Sequence, residues 1–120
     1  MVVELFWRQG ETPVGRFRVL GSWADRLLGL LGTRRDAMPV LIVPCRSIHS
    51  FGMRYRIDVA LVGDGGVVLK SRRDLVPGRV FSHGRAIYAL ERPSSRRPWP
   101  NAGDVLVCPN LESGVEGRFS

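Results

Sequence analysis

Residues 45–62, CRSIHSFGMRYRIDVALV, interleave a thiol, an imidazole, a carboxylate, two serine hydroxyls and three guanidinium groups with apolar side chains. Extended backbone alternates side chains between faces. A strand through 47–54 therefore puts Ser47, His49, Phe51 and Met53 on one face, with Ile48, Ser50 and Arg54 on the other. In 57–62 the same alternation sets Asp58 among Ala60 and Val62, a carboxylate on an otherwise apolar face that needs a partner.

Four chemistries follow from these residue types. In a binding site, His49, Met53, Arg54, Asp58 and Arg79 would line one concave end, with apolar walls and a few convergent polar groups. Two guanidinium forks there favour a carboxylate or phosphate. An enzyme would use Ser47 or Cys45 as nucleophile, His49 as base and Asp58 as orienter. Strand rise opposes the simplest version. Ser47 and His49 would have Cα atoms roughly 6.5 to 7 Å apart, awkward for a direct hydrogen bond, and there is no Gly-x-Ser-x-Gly elbow. Cys45, His49, His83 and Cys108 form a two-Cys, two-His inventory, but without the paired-cysteine spacing of a structural zinc site. No metal or cofactor is implied. A purely structural role remains for each residue: His49 donating to a backbone carbonyl, Asp58 accepting from backbone amides and from Arg54 or Arg79, and Phe51 with Met53 filling a core. The clustering favours a non-enzymatic binding role for a small anionic ligand or protein partner around His49, Arg54 and Asp58, ahead of a hydrolase- or transferase-like enzyme using His49, Asp58 and Ser47.

The rest of the chain must position these groups. Its 120 residues suit one domain, 1–109 with a loose tail over 110–120. A formal charge of +7 invites a nucleic-acid reading. The positive charge is nearly all arginine, Lys70 being the only lysine, and it is spread from Arg8 to Arg118 with no aromatic-basic repeat. Nonspecific nucleic-acid binding is thus the lesser alternative. Two cysteines are too few for a disulfide framework, the first residues lack a signal-like apolar run, and no window approaches a membrane span. A cytoplasmic protein without membrane contact is expected.

Weak alternation over 2–8 and clean alternation over 15–20, separated by Gln9-Gly10-Glu11-Thr12-Pro13, predict a first hairpin. Ser22 as N-cap, an acid three residues on, and Trp23, Leu27, Leu30 and Leu31 at helical spacing predict a helix over 22–31, ended by Gly32. Val40-Leu41-Ile42-Val43 is a short buried strand stopped by Pro44. Residues 57–62 and 67–70 flank Gly63-Asp64-Gly65-Gly66 and form a second hairpin. Residues 71–85 read as an exposed excursion, 86–91 as a strand, 92–103 as a flexible loop, and 105–108 as a last strand. These elements predict a mainly β fold, a compact β-sandwich or barrel-like arrangement of about seven or eight short strands with one peripheral helix.

Ser47-Ile48-His49-Ser50-Phe51-Gly52-Met53-Arg54, Ile57-Asp58-Val59, Asp64-Gly65, Pro77-Gly78-Arg79, Leu90-Glu91 and Gly103-Asp104 occur in an order that resembles the bacterial and archaeal family known as domain of unknown function 192. Gly29-Leu30-Leu31-Gly32 is similar to that family's helix end, and the likeness covers roughly residues 15–107. Arg56 departs from the family's usual proline, and Ser95-Arg96-Arg97-Pro98 from its usual glycine-rich segment. The resemblance implies the same compact β fold with one helix, and no particular activity.

Overall fold

The computed structural model describes residues 1–10, 12–22, 29–30 and 33–109. The expected helix over 22–31 and the tail over 110–120 fall mostly or wholly outside them. Among the described residues nine strands run in chain order: β1 Val2–Trp7, β2 Pro13–Leu20, β3 Val40–Ile42, β4 Ser47–His49, β5 Ile57–Val62, β6 Val68–Leu75, β7 Val80–Ser82, β8 Tyr88–Pro93 and β9 Leu106–Val107. Seven of them form one sheet in the order β6-β5-β8-β3-β2-β1-β9, and β4 pairs with β7 in a separate ribbon.

Of the sandwich and barrel-like alternatives, the barrel-like one describes this sheet. Its two ends meet: Val67, next to β6, bridges Val105, next to β9, and the Val68 amide donates to the Asp104 carbonyl at 2.8 Å. The contact covers the Val67–Val68 end of the β6 edge, and the Ser71 hydroxyl and Arg73 guanidinium tie the rest of that edge to carbonyls of residues 95–100. It also explains one of the hairpin glycines. At Gly66, φ is +80° and a Cβ would lie 2.2 Å from the Leu106 carbonyl oxygen, so glycine alone lets the β5–β6 turn pass beneath β9.

The central strands β5, β8 and β3 are buried on both faces, and hence read as continuous apolar runs. On one face all seven strands of the large sheet contribute to a single core, including Leu5, Phe17, Leu41, Val62, Val68, Leu90 and Leu106. That face is the barrel interior. The opposite face of the central strands, with Ile42, Val59 and Leu61, is covered by Ile48 and Phe81 from the β4–β7 ribbon and by Met53, Tyr55 and Leu30. The β2–β3 pair is parallel, unlike its neighbours, so the chain must cross over between residues 20 and 40.

Three segments differ from expectation. Residues 71–85 are not an open excursion, because β6 continues to Leu75 and β7 occupies Val80–Ser82. β6 is a sheet-end strand with most of its middle side chains in solvent, so its polar composition mimics a loop. β8 runs two residues past Glu91, to Pro93. Residues 94–100 are irregular, but Trp99 is only 4% exposed and packs against Phe17 inside the barrel.

Candidate functional site

The structure separates the predicted constellation into two places and a core residue. Extended backbone ends at His49, and Gly52 at φ +81° turns the chain while the Met53 amide donates to the Ser50 carbonyl. The turn breaks the expected alternation. Ser47, His49 and Phe51 remain exposed, but Met53 rotates inward to 9% exposure and packs with the core rather than a ligand. Arg54 and Arg79 are exposed, and the segments that carry them are tied together by Ser50. Its amide donates to the Arg79 carbonyl, its hydroxyl donates to the Val76 carbonyl at 2.7 Å, and the hydroxyl accepts from the Arg79 amide at 2.9 Å. Ser50 is fully buried, a positioning role that its small polar side chain does not announce in sequence.

Asp58 lies elsewhere. Its side chain is fully buried at the end of the barrel interior, directly across the β5–β8 register from Arg92. Both belong to the face that carries Ala60, Val62, Tyr88 and Leu90. Arg92 Nε donates to Asp58 Oδ2 at 2.8 Å, the Ser95 amide donates to the same oxygen at 3.3 Å, and the Asp74 amide donates to Oδ1 at 3.0 Å. The Asp74 contact is made by a bulge. β6 carries one extra residue between the partners of Ile57 and Val59, and Asp74 adopts φ +56°, a conformation aspartate tolerates better than most. Neither Arg54 nor Arg79 serves as the partner expected from sequence, and His49 shares no bond with the carboxylate. The nucleophile–base–orienter arrangement of Ser47, His49 and Asp58 is therefore not assembled.

Arg92 is the hub of this second place. Its Nη1 donates to the Pro98 carbonyl at 3.1 Å and its Nη2 to the Arg97 carbonyl at 2.6 Å, and the guanidinium lies 4.4 Å from the centre of the Trp99 ring. Burial pulls the guanidinium below its usual pKa, and the hydrogen bond and charge of Asp58 pull it back up. Arg73 reinforces the loop by donating to the Ser95 and Arg97 carbonyls, and Ser94 bonds the Asp74 carboxylate. Trp99 Nε1 donates to the Val59 carbonyl at 3.1 Å. The 94–99 loop is thus a strapped wall, not the loose surface loop its composition suggests.

That wall faces β2 and residues 35–39 across a cleft of about 780 Å³. Arg16, Arg35 and Arg97 line it together with Ser94, Ser95 and the exposed apolar side chains of Pro13, Met38 and Pro98. Among the described residues Asp58–Arg92 is the one ion pair, so none of these three guanidinium groups is in a contact ion pair, although Glu4 stands opposite Arg16 in the β1–β2 register and Asp36 lies in the same lining. The sequence reading missed Arg16, Arg35, Arg92 and Arg97. Arg92 had a signal: it shares strand parity with Tyr88 and Leu90, so it too points inward.

Other polar groups prove structural. Glu91 is buried on the opposite face of β8, its carboxyl accepts from the Leu30 backbone, and burial raises its pKa from 4.5 to about 7. Asp104 Oδ2 accepts from Trp7 Nε1 at 3.0 Å and from the Asn101 amide at 2.8 Å. His83 Nδ1 accepts from the Arg85 amide, and Cys45 Sγ donates to the Ser47 carbonyl. Among the described residues no group of three or more His, Cys, Asp or Glu side chains is placed to hold a metal, and no helix is long and apolar enough to cross a membrane.

Fold and site together define a small mainly β protein built on one curled sheet, with a strapped loop at one end. No family model matches the chain, and no curated protein does. Solved structures share the fold. A proposed transcription regulator from Sinorhizobium meliloti 1021 is 17% identical with a TM-score of 0.73, the match covering 92% of this chain and 94% of that one. A protein of unknown function from Novosphingobium aromaticivorans DSM 12444 is 15% identical with a TM-score of 0.66, covering 88% and 84%.

Proposed function

We propose that this protein is a non-enzymatic binding module for a small anionic ligand, and that the chain is a distant member of the domain of unknown function 192 family. The observation that carries the binding reading is the set of three guanidinium groups, from Arg16, Arg35 and Arg97, around one cleft, three positive charges against the two of Glu4 and Asp36 and none of them in a contact ion pair among the described residues. Planar forks of this kind match carboxylate and phosphate oxygens in pairs. The cleft volume falls in the range of small-molecule sites, and the exposed Pro13, Met38 and Pro98 in its lining give the non-ionic part of a ligand something to cover. Asp58 acts at this site through Arg92, fixing the loop that presents Arg97, Ser94 and Ser95. The family reading rests on the ordered motifs, several of which sit at structural joints: Ser50, Asp58, Glu91 and Asp104 each hold one segment to another.

Isothermal titration with citrate and with inorganic pyrophosphate, at matched ionic strength, tests the binding role. Saturable binding that weakens at least about tenfold in Arg35→Ala or Arg97→Ala is expected, since loss of a charged hydrogen-bond partner is worth about 1.5 to 3 kcal/mol. Heats no different from sodium chloride for both probes would overturn it.

A further inference from the structure

The other half of the separated constellation has its own character. On the outer face of the β4–β7 ribbon, Ser47 stands opposite Ser82 and His49 opposite Val80, all four exposed, while Ile48 and Phe81 turn into the core. Phe51 follows, 53% exposed, with its ring centre 5.6 Å from that of His49. Val80 is 61% exposed. Phe51 and Val80 thus flank His49 on one face of the ribbon, Phe51 through its ring contact and Val80 through the strand register.

The charge around them is of one sign. Residues 37–57 and 75–90, which build the ribbon and its flanking turns, contain no Asp or Glu, but they contain Arg46, Arg54, Arg56, Arg79 and Arg85, all exposed. None of the five is in an ion pair among the described residues. The sequence spreads these arginines over forty positions; backbone bonds bring Arg46 beside the 83–85 turn and the turn before Arg54 beside Arg79, whereas the Arg56 carbonyl accepts from the Ser94 amide. The His83 amide donates to the Arg46 carbonyl, and the bonds of Ser50 hold the turn before Arg54 against Arg79. The platform is also rigid, because Ser50 is sealed beneath it and Ile48 and Phe81 anchor both strands.

We propose that this ribbon face binds single-stranded nucleic acid, with Phe51 and His49 as the stacking surface for a base and Arg54 and Arg79 on the adjoining phosphates. Exposed rings beside unpaired arginines supply the two terms that single strands use, stacking and phosphate neutralisation. A duplex hides its base faces and can meet only the arginines. An acidic peptide likewise satisfies the arginines and leaves the ring pair unused. Ser47 and Ser82 add hydroxyls that donate or accept beside the platform.

Fluorescence anisotropy with labelled uridine and thymidine oligomers of about 12 nucleotides, within known single-strand site sizes, tests this on the full chain. Binding to at least one oligomer at about 50 mM salt is expected, with a log–log salt slope that falls by about 0.7 in Arg54→Ala and in Arg79→Ala. Phe51→Ala is expected to weaken binding at least about fivefold, as loss of one stacked base does. Val80→Glu, which sets a negative charge beside the rings at an exposed site, is expected to abolish it; unchanged melting temperatures show that both variants fold. No binding of either oligomer at low salt overturns the proposal. So does an unchanged affinity in Phe51→Ala, equal affinity for a duplex of the same length, or polyglutamate binding that shows the same dependence on Phe51.

Discussion

Asp58 and Arg92 face each other across the β5–β8 register, joined by a 2.8 Å bond, with both side chains sealed from solvent. The pair does more than balance a charge. Asp58 also accepts amides from the β6 bulge and from Ser95, and Arg92 also donates to the carbonyls of residues 97 and 98, so one pair fastens three segments at the barrel's end. Removing one partner strands the other as a buried charge. Asp58→Ala is expected to cost about 3 to 5 kcal/mol of stability by urea unfolding. The double substitution of Asp58→Leu with Arg92→Met should recover much of that loss while still freeing the 94–98 loop. A double variant no more stable than Asp58→Ala would show that the loop bonds, not the stranded charge, carry the energy.

The closure of the sheet gives a second test, because two adjacent glycines differ in what surrounds them. Gly65 and Gly66 both have positive φ, but a Cβ at Gly65 meets nothing within 4 Å, whereas one at Gly66 meets the Leu106 carbonyl oxygen. Gly65→Ala should cost about 1 to 2 kcal/mol, the backbone penalty alone. Gly66→Ala should cost clearly more, since the β5–β6 turn must move away from β9. Equal losses in thermal unfolding would mean that the two sheet ends do not depend on this contact.

Glu91 predicts an unusual pH dependence. Its folded-state pKa is raised by burial to about 7 from 4.5, so between those values the native state binds more protons than the unfolded chain. Stability is therefore highest below about pH 4.5 with respect to this group and falls as pH rises towards about 7, the reverse of a salt-bridged carboxylate. The integrated loss is about 3 kcal/mol. Glu91→Gln, which keeps a carbonyl oxygen to accept from the Leu30 backbone, should flatten the dependence measured by denaturant midpoints between about pH 3.5 and about pH 8, one unit beyond either end of the transition. A wild-type midpoint that rises across this window, together with the same rise in Glu91→Gln, would remove Glu91 as its source.

What could be read from sequence was what local pattern controls. The first hairpin, the strand at 40–42 and the hairpin around Gly63-Asp64-Gly65-Gly66 follow from alternation, β-branched runs and turn glycines. Asp58 was legible as a buried carboxylate for the same reason. Its partner is not legible: Arg54 and Arg79 do not meet it, because strand pairing places Arg92, 34 residues away on β8, opposite it. The His49 end was misjudged in the other direction. A single positive-φ glycine at position 52 ends the strand, turns Met53 inward, and leaves His49 and Phe51 in solvent rather than in a pocket with Asp58. Alternation also cannot reveal that Trp99, among prolines and arginines, returns to the barrel interior.

Trp99 links stability to the cleft. Its ring covers Arg92 and touches Phe17, and its Nε1 closes a hydrogen bond to the Val59 carbonyl 40 residues earlier. Trp99→Ala should cost about 3 to 5 kcal/mol, the usual penalty for emptying a large aromatic site. Trp99→Phe keeps a ring over Arg92 and loses chiefly the hydrogen bond, about 1 kcal/mol, so it should fold. The two effects separate cleanly in a binding experiment. If the strapped loop presents Arg97 and the serines to an anion, Trp99→Phe should bind citrate or pyrophosphate more weakly than wild type although no cleft-lining charge has been removed. Unchanged affinity in that variant would show that the anion is held by Arg16 and Arg35 alone, with the 94–98 wall a bystander.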